Sequence, residues 1–292
     1  MVDGNAILHR AFHAMPPFKT PRGEPIGAVH GFVSMLLKTI GDLKPTHLAI
    51  AFDEKKPTFR HKEFAEYQAQ RPEAHEDLVS QFSKARETAR AFGIAVYSKS
   101  GFEADDVIGT LAQKAKVDEV VVVTGDRDLL QLVTPKIKLY MPVSGLSNAK
   151  LYTNKETIAR MGVPPEQIVD FKALVGDPSD NYKGVPGIGP KTAASLLKEY
   201  GSLENIYKNL PKVPEKTKKL LKENKASALQ SQKLAQIVTD VKIDFDLTDS
   251  AKWQVDSPEV LELFSKFGFK TLGKRVKKVG KEITAEKQSR LF

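Results

Sequence analysis

The chain has 292 residues, 41% of them hydrophobic, and its 45 basic and 36 acidic side chains leave a net charge of +9. That length holds one large domain or two modest ones, with enough apolar content for a real core. There is no cysteine, which excludes disulfides and thiolate zinc sites. No apolar run reaches membrane-spanning length and the N-terminus lacks a secretory pattern, so a cytoplasmic protein is expected.

The chain opens MVDGN, with only Met1 and Val2 ahead of Asp3. A strand usually needs about five residues, so either the first strand is clipped or the start is misassigned. Strand patterns then fall at 47–52, 94–98, 119–124 and 137–143, and helix patterns at 27–41, 76–92, 104–115 and 154–161. This alternation predicts an α/β fold, a mixed and mostly parallel sheet flanked by helices. Residues 54–75 interrupt it with charged and aromatic residues, and read as a mobile, partly helical insertion over the sheet edge. Lys55, Lys56, Arg60, Lys62 and Arg71 there could meet phosphates, and Phe59, Phe64 and Tyr67 could stack on bases. A solvated charged helix with a few buried aromatics is an almost equal alternative.

From about 164 the pattern changes to short helices. Residues 211–225 are dense in lysine, 255–269 form an amphipathic helix, and the basic segment from Gly273 is expected to be disordered.

Acids recur after the apolar runs. Asp3 ends MVD, Asp53 follows HLAIAF, Glu103, Asp105 and Asp106 stand in GFEADDVIG, Asp126 and Asp128 in TGDRD, and Asp177 and Asp180 in GDPSDN. Each cluster has a plain alternative: a helix cap, a favourable first helical turn, or a common turn. Together they place nine carboxylates at the carboxyl ends of parallel strands, where such sheets bind ligands. Carboxylates so close repel unless cations sit between them, and oxygen-rich sites suit Mg²⁺ or Mn²⁺. A basic chain with one acidic site suggests a polyanion held beside bound metal. No Walker loop or Ser-His-Asp set is evident, so neither NTP hydrolysis nor acyl transfer is indicated.

GVPGIGPKTAASLL is the most specific local motif. Gly184, Gly187 and Gly189 allow a tight hairpin between helices. Pro190 suits the first turn of the second helix, whose free N–H groups, with Lys191, would face a phosphate. This helix-hairpin-helix pattern grips a backbone without reading sequence. The closing QSRLF reads as a docking peptide, with Gln288, Leu291 and Phe292 as contacts; an unconstrained tail is its alternative.

The ordered set DGN, FD, FR…R, EADD, TGDRD, GDPSDN and GVPGIGPKTA resembles the 5′-nuclease (flap endonuclease) superfamily. In particular it resembles the 5′→3′ exonuclease domain of bacterial DNA polymerase I, over residues 1 to about 270. The resemblance implies a PIN-like nuclease core at 1–165 with a helical arch at about 54–90. A helix-3-turn-helix subdomain would follow at 166–272, then a basic disordered tail at 273–292. It implies that Asp3, Asp53, Glu103, Asp105, Asp106, Asp126, Asp128, Asp177 and Asp180 hold two or more divalent ions. Asp53, Asp126 and Asp128, with Arg60 and Arg71 from the arch, would act on the scissile phosphate. Gly184, Gly187, Gly189, Lys191 and Thr192 would hold DNA, with potassium at the hairpin. Two departures stand out. Gln68 occupies the place of an expected arch lysine, so cleavage is expected to be slower or to lean on Arg71. No polymerase domain follows, so the chain reads as a stand-alone nuclease or an excised domain.

The implied activity is a monomeric structure-specific 5′ nuclease. It would hydrolyse phosphodiesters at 5′ flaps, nicks, 5′ ends and RNA primer–DNA hybrids in replication and repair, in the nucleoid-associated cytoplasm. QSRLF resembles a peptide that binds a bacterial sliding clamp. The rival is a nuclease-weak module that marks DNA junctions for partners through its tail.

Overall fold

The computed structural model describes residues 1–145 and 148–289. Its six strands are β1 (Val2–Asp3), β2 (Ala49–Ala51), β3 (Ala95–Tyr97), β4 (Val120–Val123), β5 (Ile137–Ser144) and β6 (Asn148–Tyr152). They lie in the order β3-β2-β1-β4-β5-β6. All neighbours are parallel except β5 and β6. The two-residue β1 is the hub: Val2 pairs with Ile50 on one side and Val123 on the other. The strand order reverses there, and in open α/β sheets that switch point is where ligands bind.

The first half carries α1 (Gly4–Ala14), α2 (Gly27–Leu43), α3 (Phe59–Glu63), α4 (Glu76–Ala91), α5 (Ala104–Lys114) and α6 (Asn154–Met161). Then come α7 (Ile168–Val175), α8 (Pro190–Tyr200), α9 (Leu203–Lys208), α10 (Glu215–Glu223) and α11 (Lys225–Ala235), and finally α12 (Pro258–Phe267) and α13 (Lys270–Ser289). Side chains alternate across a strand, so β4 and β5 feed two cores. Val120, Val122, Ile137 and Leu139 face α5 and the α7–α9 group. Val123 and Tyr140 face α1, α2, α4, α12 and α13. No helix among the described residues is long and apolar enough to cross a membrane.

Three expectations need correction. The segment from Gly273 is helical through Ser289, because Leu272 and Val276 are buried in the core that α2 and α4 also form. Residues 166–272 are not one packing unit, since the chain returns to the first half after α11. Val238 N–H donates to Asp106, Leu48 N–H to the Ser250 carbonyl, and Trp253 packs in the α2–α4 core. The 54–75 insertion is folded down rather than free: Tyr67 is buried, and Phe59 packs on Phe102 with its face under Arg60. Leu291 and Phe292 lie outside the described residues.

Sequence patterns missed α1 and β6. The α1 helix starts directly on Asp3, whose Oδ1 caps it by accepting from Ala6 N–H at 2.9 Å.

Candidate active site

At the carboxyl edge of the sheet lies an open cavity of about 580 Å³, lined by seven of the nine expected acids: Asp3, Asp53, Glu103, Asp105, Asp126, Asp128 and Asp180. The fold explains how each arrives. Asp3 ends β1, Asp53 follows β2, Glu103 caps α5, and Asp126 and Asp128 follow β4. Several acids are fixed by their own neighbours. Asp3 Oδ2 accepts from the Thr124 hydroxyl at 2.7 Å. Asp53 Oδ1 accepts from Ala104 N–H at 2.6 Å, and Asn5 Oδ1 takes the Asp53 N–H at 3.0 Å. Asp126 Oδ1 accepts from Asp128 N–H at 2.8 Å.

Asp105 is different: among the described residues it has no hydrogen-bonding or ion-pair partner. Burial, then the charges of Asp126, Asp3, Glu103 and Asp53, push its carboxyl well above the usual range. Burial also pushes Asp3 up to about 7, Glu103 to about 7 and Asp128 to about 6, and raises Asp53. In each case a neighbouring carboxylate adds to the rise. Crowded, desolvated acids with one left unpaired are what a cation-binding site looks like without its cation.

A second acid group sits beside the first. Oxygens of Asp128, Asp177 and Asp180 lie within 4.8 Å of one another. Lys172, buried on α7, bridges Asp128 and Asp177, with its Nζ 2.6 Å from the latter. Burial pulls Asp177 upward, but Lys172 and the Ser179 hydrogen bonds outweigh it and hold Asp177 below its ordinary value. The buried Tyr182 hydroxyl has no hydrogen-bond partner among the described residues, and its ring lies 5.9 Å from Lys172 Nζ.

The same cavity is lined by Lys55, Lys56, His61, Gln68 and Arg71. Asp180 ties this wall down. Its carboxylate accepts from Arg71 at 2.5 Å, from Gln68 Nε2 at 3.2 Å and from the Tyr67 hydroxyl at 3.3 Å.

The structure moves three expected residues out of the ligand-facing set. Asp106 is fully buried and accepts from both Arg60 terminal nitrogens, at 2.7 and 2.9 Å. It also caps Glu103 N–H and Val238 N–H. Arg60 spends every donor internally, on Asp106, Glu103 and the Leu234 and Gln236 carbonyls, and none is left for a phosphate. This pair joins α3, α5 and the segment after α11. Losing one partner of a buried pair strands the other. Arg60→Met is therefore expected to destabilise the fold by about 3–5 kcal/mol, and Arg60→Met with Asp106→Leu by much less, as urea unfolding would measure. Equal losses in the two proteins would show that the charge pair is not what matters. Gly184 is the third. It is buried at φ +60°, and a Cβ there would sit 2.4 Å from Gly176 N and 2.7 Å from the Leu174 carbonyl. It closes the hairpin, while Gly187, Gly189, Lys191 and Thr192 are exposed at the start of α8.

Lys172, Asn5 and Thr124 were not singled out from sequence. Asn5 lay in the DGN motif and Thr124 in TGDRD, but Lys172 looks like any lysine on a short amphipathic helix.

Comparison with known proteins agrees with this arrangement. The family model for the 5′-3′ exonuclease N-terminal resolvase-like domain matches residues 1–162, and that for the 5′-3′ exonuclease C-terminal SAM fold matches 163–259. DNA polymerase I of Bacillus caldotenax is 41% identical over 274 residues, covering 93% of this chain and 31% of its own length. DNA polymerase I of Bacillus subtilis (strain 168) is 40% identical over 279 residues, covering 94% and 32%. The chain thus spans about a third of the length of these relatives. Among solved structures, zinc-bound T5 5′-exonuclease shares the fold at a TM-score of 0.67 and 22% identity, covering 97% of both chains. The catalytic core of Rad2 in complex with DNA substrate shares it at 0.59 and 17%, covering 97% of this chain and 90% of its own. Two acid groups at a switch point, a hairpin half beside them and two family models tiling residues 1–259 lead to one conclusion: the chain belongs to the 5′-3′ exonuclease family.

Proposed function

We propose that the protein is a structure-specific 5′ nuclease that hydrolyses phosphodiesters at 5′ flaps, nicks and RNA primers. The observation that carries this reading is the cavity itself: seven carboxylates line it, one of them unpartnered among the described residues, together with Lys55, Lys56 and Arg71. Acids so placed would repel a phosphate unless divalent ions lay between, so a pure DNA binder gains nothing from them.

The residues present fit such ions. Asp3, Asp53, Glu103, Asp105 and Asp126 form one oxygen-rich group, and Asp128, Asp177 and Asp180 another. The donors are all carboxylates, which suits Mg²⁺ or Mn²⁺. When bound, such ions supply an activated water and stabilise the leaving oxygen. The chain does the rest. Thr124, Ala104 N–H and Asn5 fix the acids in place. Arg71, half-exposed at the rim, offsets charge on the scissile phosphate. Gln68 turns its amide to Asp180, so the arch offers Arg71 where a lysine was expected. The exposed start of α8, with Lys191 and Thr192, holds the duplex backbone, and the affinity should weaken with salt. Potassium at the 184–189 turn, a sliding clamp bound through Gln288, Leu291 and Phe292, a monomeric state and a nucleoid-associated cytoplasmic setting belong to the same reading.

The test is cleavage of a 5′-labelled flap duplex with Mg²⁺, Mn²⁺ or chelator, beside Asp126→Asn. The expected result is metal-dependent cutting near the junction, lost in the variant while flap binding persists. Tight binding without cutting under either ion would favour the junction-marking module.

A further inference from the structure

The two acid groups are balanced differently. In the first, Asp105 has no cationic partner and its neighbours are other acids. In the second, every acid already holds a cation of the protein: Lys172 serves Asp128 and Asp177, and Arg71 serves Asp180. The two cations are held unequally. The Lys172 side chain is 8% exposed on a helix, whereas that of Arg71 is 49% exposed on an irregular segment. That segment rides on Asp180, since Gln68 N–H donates to the Asp180 carbonyl and Arg71 Nε to the Ser179 carbonyl. Gln68 sits at φ +58°, a left-handed backbone that this docking holds in place.

We propose that Lys172 and Arg71 are built-in counter-cations of the Asp128–Asp177–Asp180 group, and that substrate phosphate opens this group to its divalent ion by drawing Arg71 away from Asp180. The proposal rests on the nuclease reading and adds an order of events to it. The first group binds its ion without DNA, because among the described residues no cation pairs with Asp105. The second group holds its ion weakly until DNA arrives. A guanidinium pairs with phosphate through the same planar fork that it offers a carboxylate, so the phosphate is a ready replacement partner. Freed of its strongest donor, Asp180 joins Asp128 and Asp177 as a ligand. Such coupling is reciprocal: DNA tightens the second ion and the ion tightens DNA. The enzyme is thereby fully charged with metal only when a phosphate is in place.

Calorimetric titration with Mn²⁺ tests this on the DNA-free full chain, as wild type, Arg71→Gln and Lys172→Met. Wild type is expected to take one ion tightly and a second weakly. In Arg71→Gln the second dissociation constant should fall about tenfold, equivalent to ~1.4 kcal/mol, and the first by much less, since Arg71 pairs with Asp180 and acts on Asp53 and Glu103 only through its charge. Lys172→Met should shift the second site in the same direction, and a melting curve in Mn²⁺ verifies that each variant is folded. With Ca²⁺ as the probe and a flap duplex present, wild type should gain second-ion affinity and Arg71→Gln should not. Identical second-site affinities in wild type and Arg71→Gln without DNA would overturn the proposal. So would an equal gain from DNA in both proteins. Loss of the nuclease reading looks different: the affinities shift as described, but no flap is cut.

Discussion

Replacing Asp105 with Asn is expected to move stability and activity in opposite directions. Among the described residues Asp105 is the one acid of the first group with no internal partner, and burial with four neighbouring carboxylates disfavours its charge. Neutralising it removes that repulsion, so the metal-free protein should gain about 1 kcal/mol or more, the scale of an uncompensated buried polar group. The same change removes a ligand oxygen from the ion that organises the reaction. Cleavage of a flap duplex should fall roughly a hundred- to a thousandfold, the range for deleting one electrostatic group at a developing charge. Urea unfolding in chelator and single-turnover cleavage in Mg²⁺ measure the two halves. A variant that is both less stable and inactive would mean that Asp105 is a structural residue and the charge argument fails.

The second large effect is on pH. For a carboxyl raised on folding, the native state keeps its proton where the unfolded chain has lost it. Stability then falls as pH rises from the unfolded value to the folded one. Asp3 and Glu103 are pushed up to about 7 and Asp128 to about 6, against ordinary values near 4. Through these three acids the metal-free protein should therefore lose stability as pH rises between about 4 and 7. Each tenfold change in proton affinity is worth about 1.4 kcal/mol, so the total loss is on the order of several kcal/mol for these interacting groups. Mn²⁺ binds only the ionised acids and should cancel or reverse the slope; at a hundredfold excess over its dissociation constant an ion adds about 2.7 kcal/mol. Melting temperatures across this range, with chelator and with Mn²⁺, make the comparison. A flat profile in chelator would show that the acids are not strained against one another.

Much of this was legible in the residues. Helices expected at 76–92, 104–115 and 154–161 appear as Glu76–Ala91, Ala104–Lys114 and Asn154–Met161, because their apolar spacing and acidic first turns agree. The four strand patterns at 47–52, 94–98, 119–124 and 137–143 became strands, the unbroken VVVV run among them because parallel strands buried on both faces need no alternation. The α1 helix was hidden because Asp3 serves as strand end, cavity acid and helix cap at once. Acid chemistry marked where the site lies but not how each acid is used. Asp105 and Asp106 are adjacent in sequence, yet one lines the cavity and the other is sealed under Arg60. A rotation of about 100° between consecutive helical residues decides that, and only the packing of α5 sets its phase. Arg60 and Arg71 look equivalent in an arginine-bearing insertion, and the fold makes one an internal tie and the other a rim cation. Lys172 carried no signal, because its partners come from turns that only folding brings to it.

The route of the chain after α11 has a further consequence. Trp253, Val260, Phe264, Leu272 and Val276 complete a core most of whose other members precede residue 95. The helical half is thus a parenthesis in the sequence, opened and closed by one body. A ribosome would release the first 162 residues with that core still unsealed, and the earliest strands would wait for the last helices. Residues 163–235, in contrast, form a cassette whose two ends return to the same body, and it closes the other face of the sheet by packing on Val120, Val122, Ile137 and Leu139.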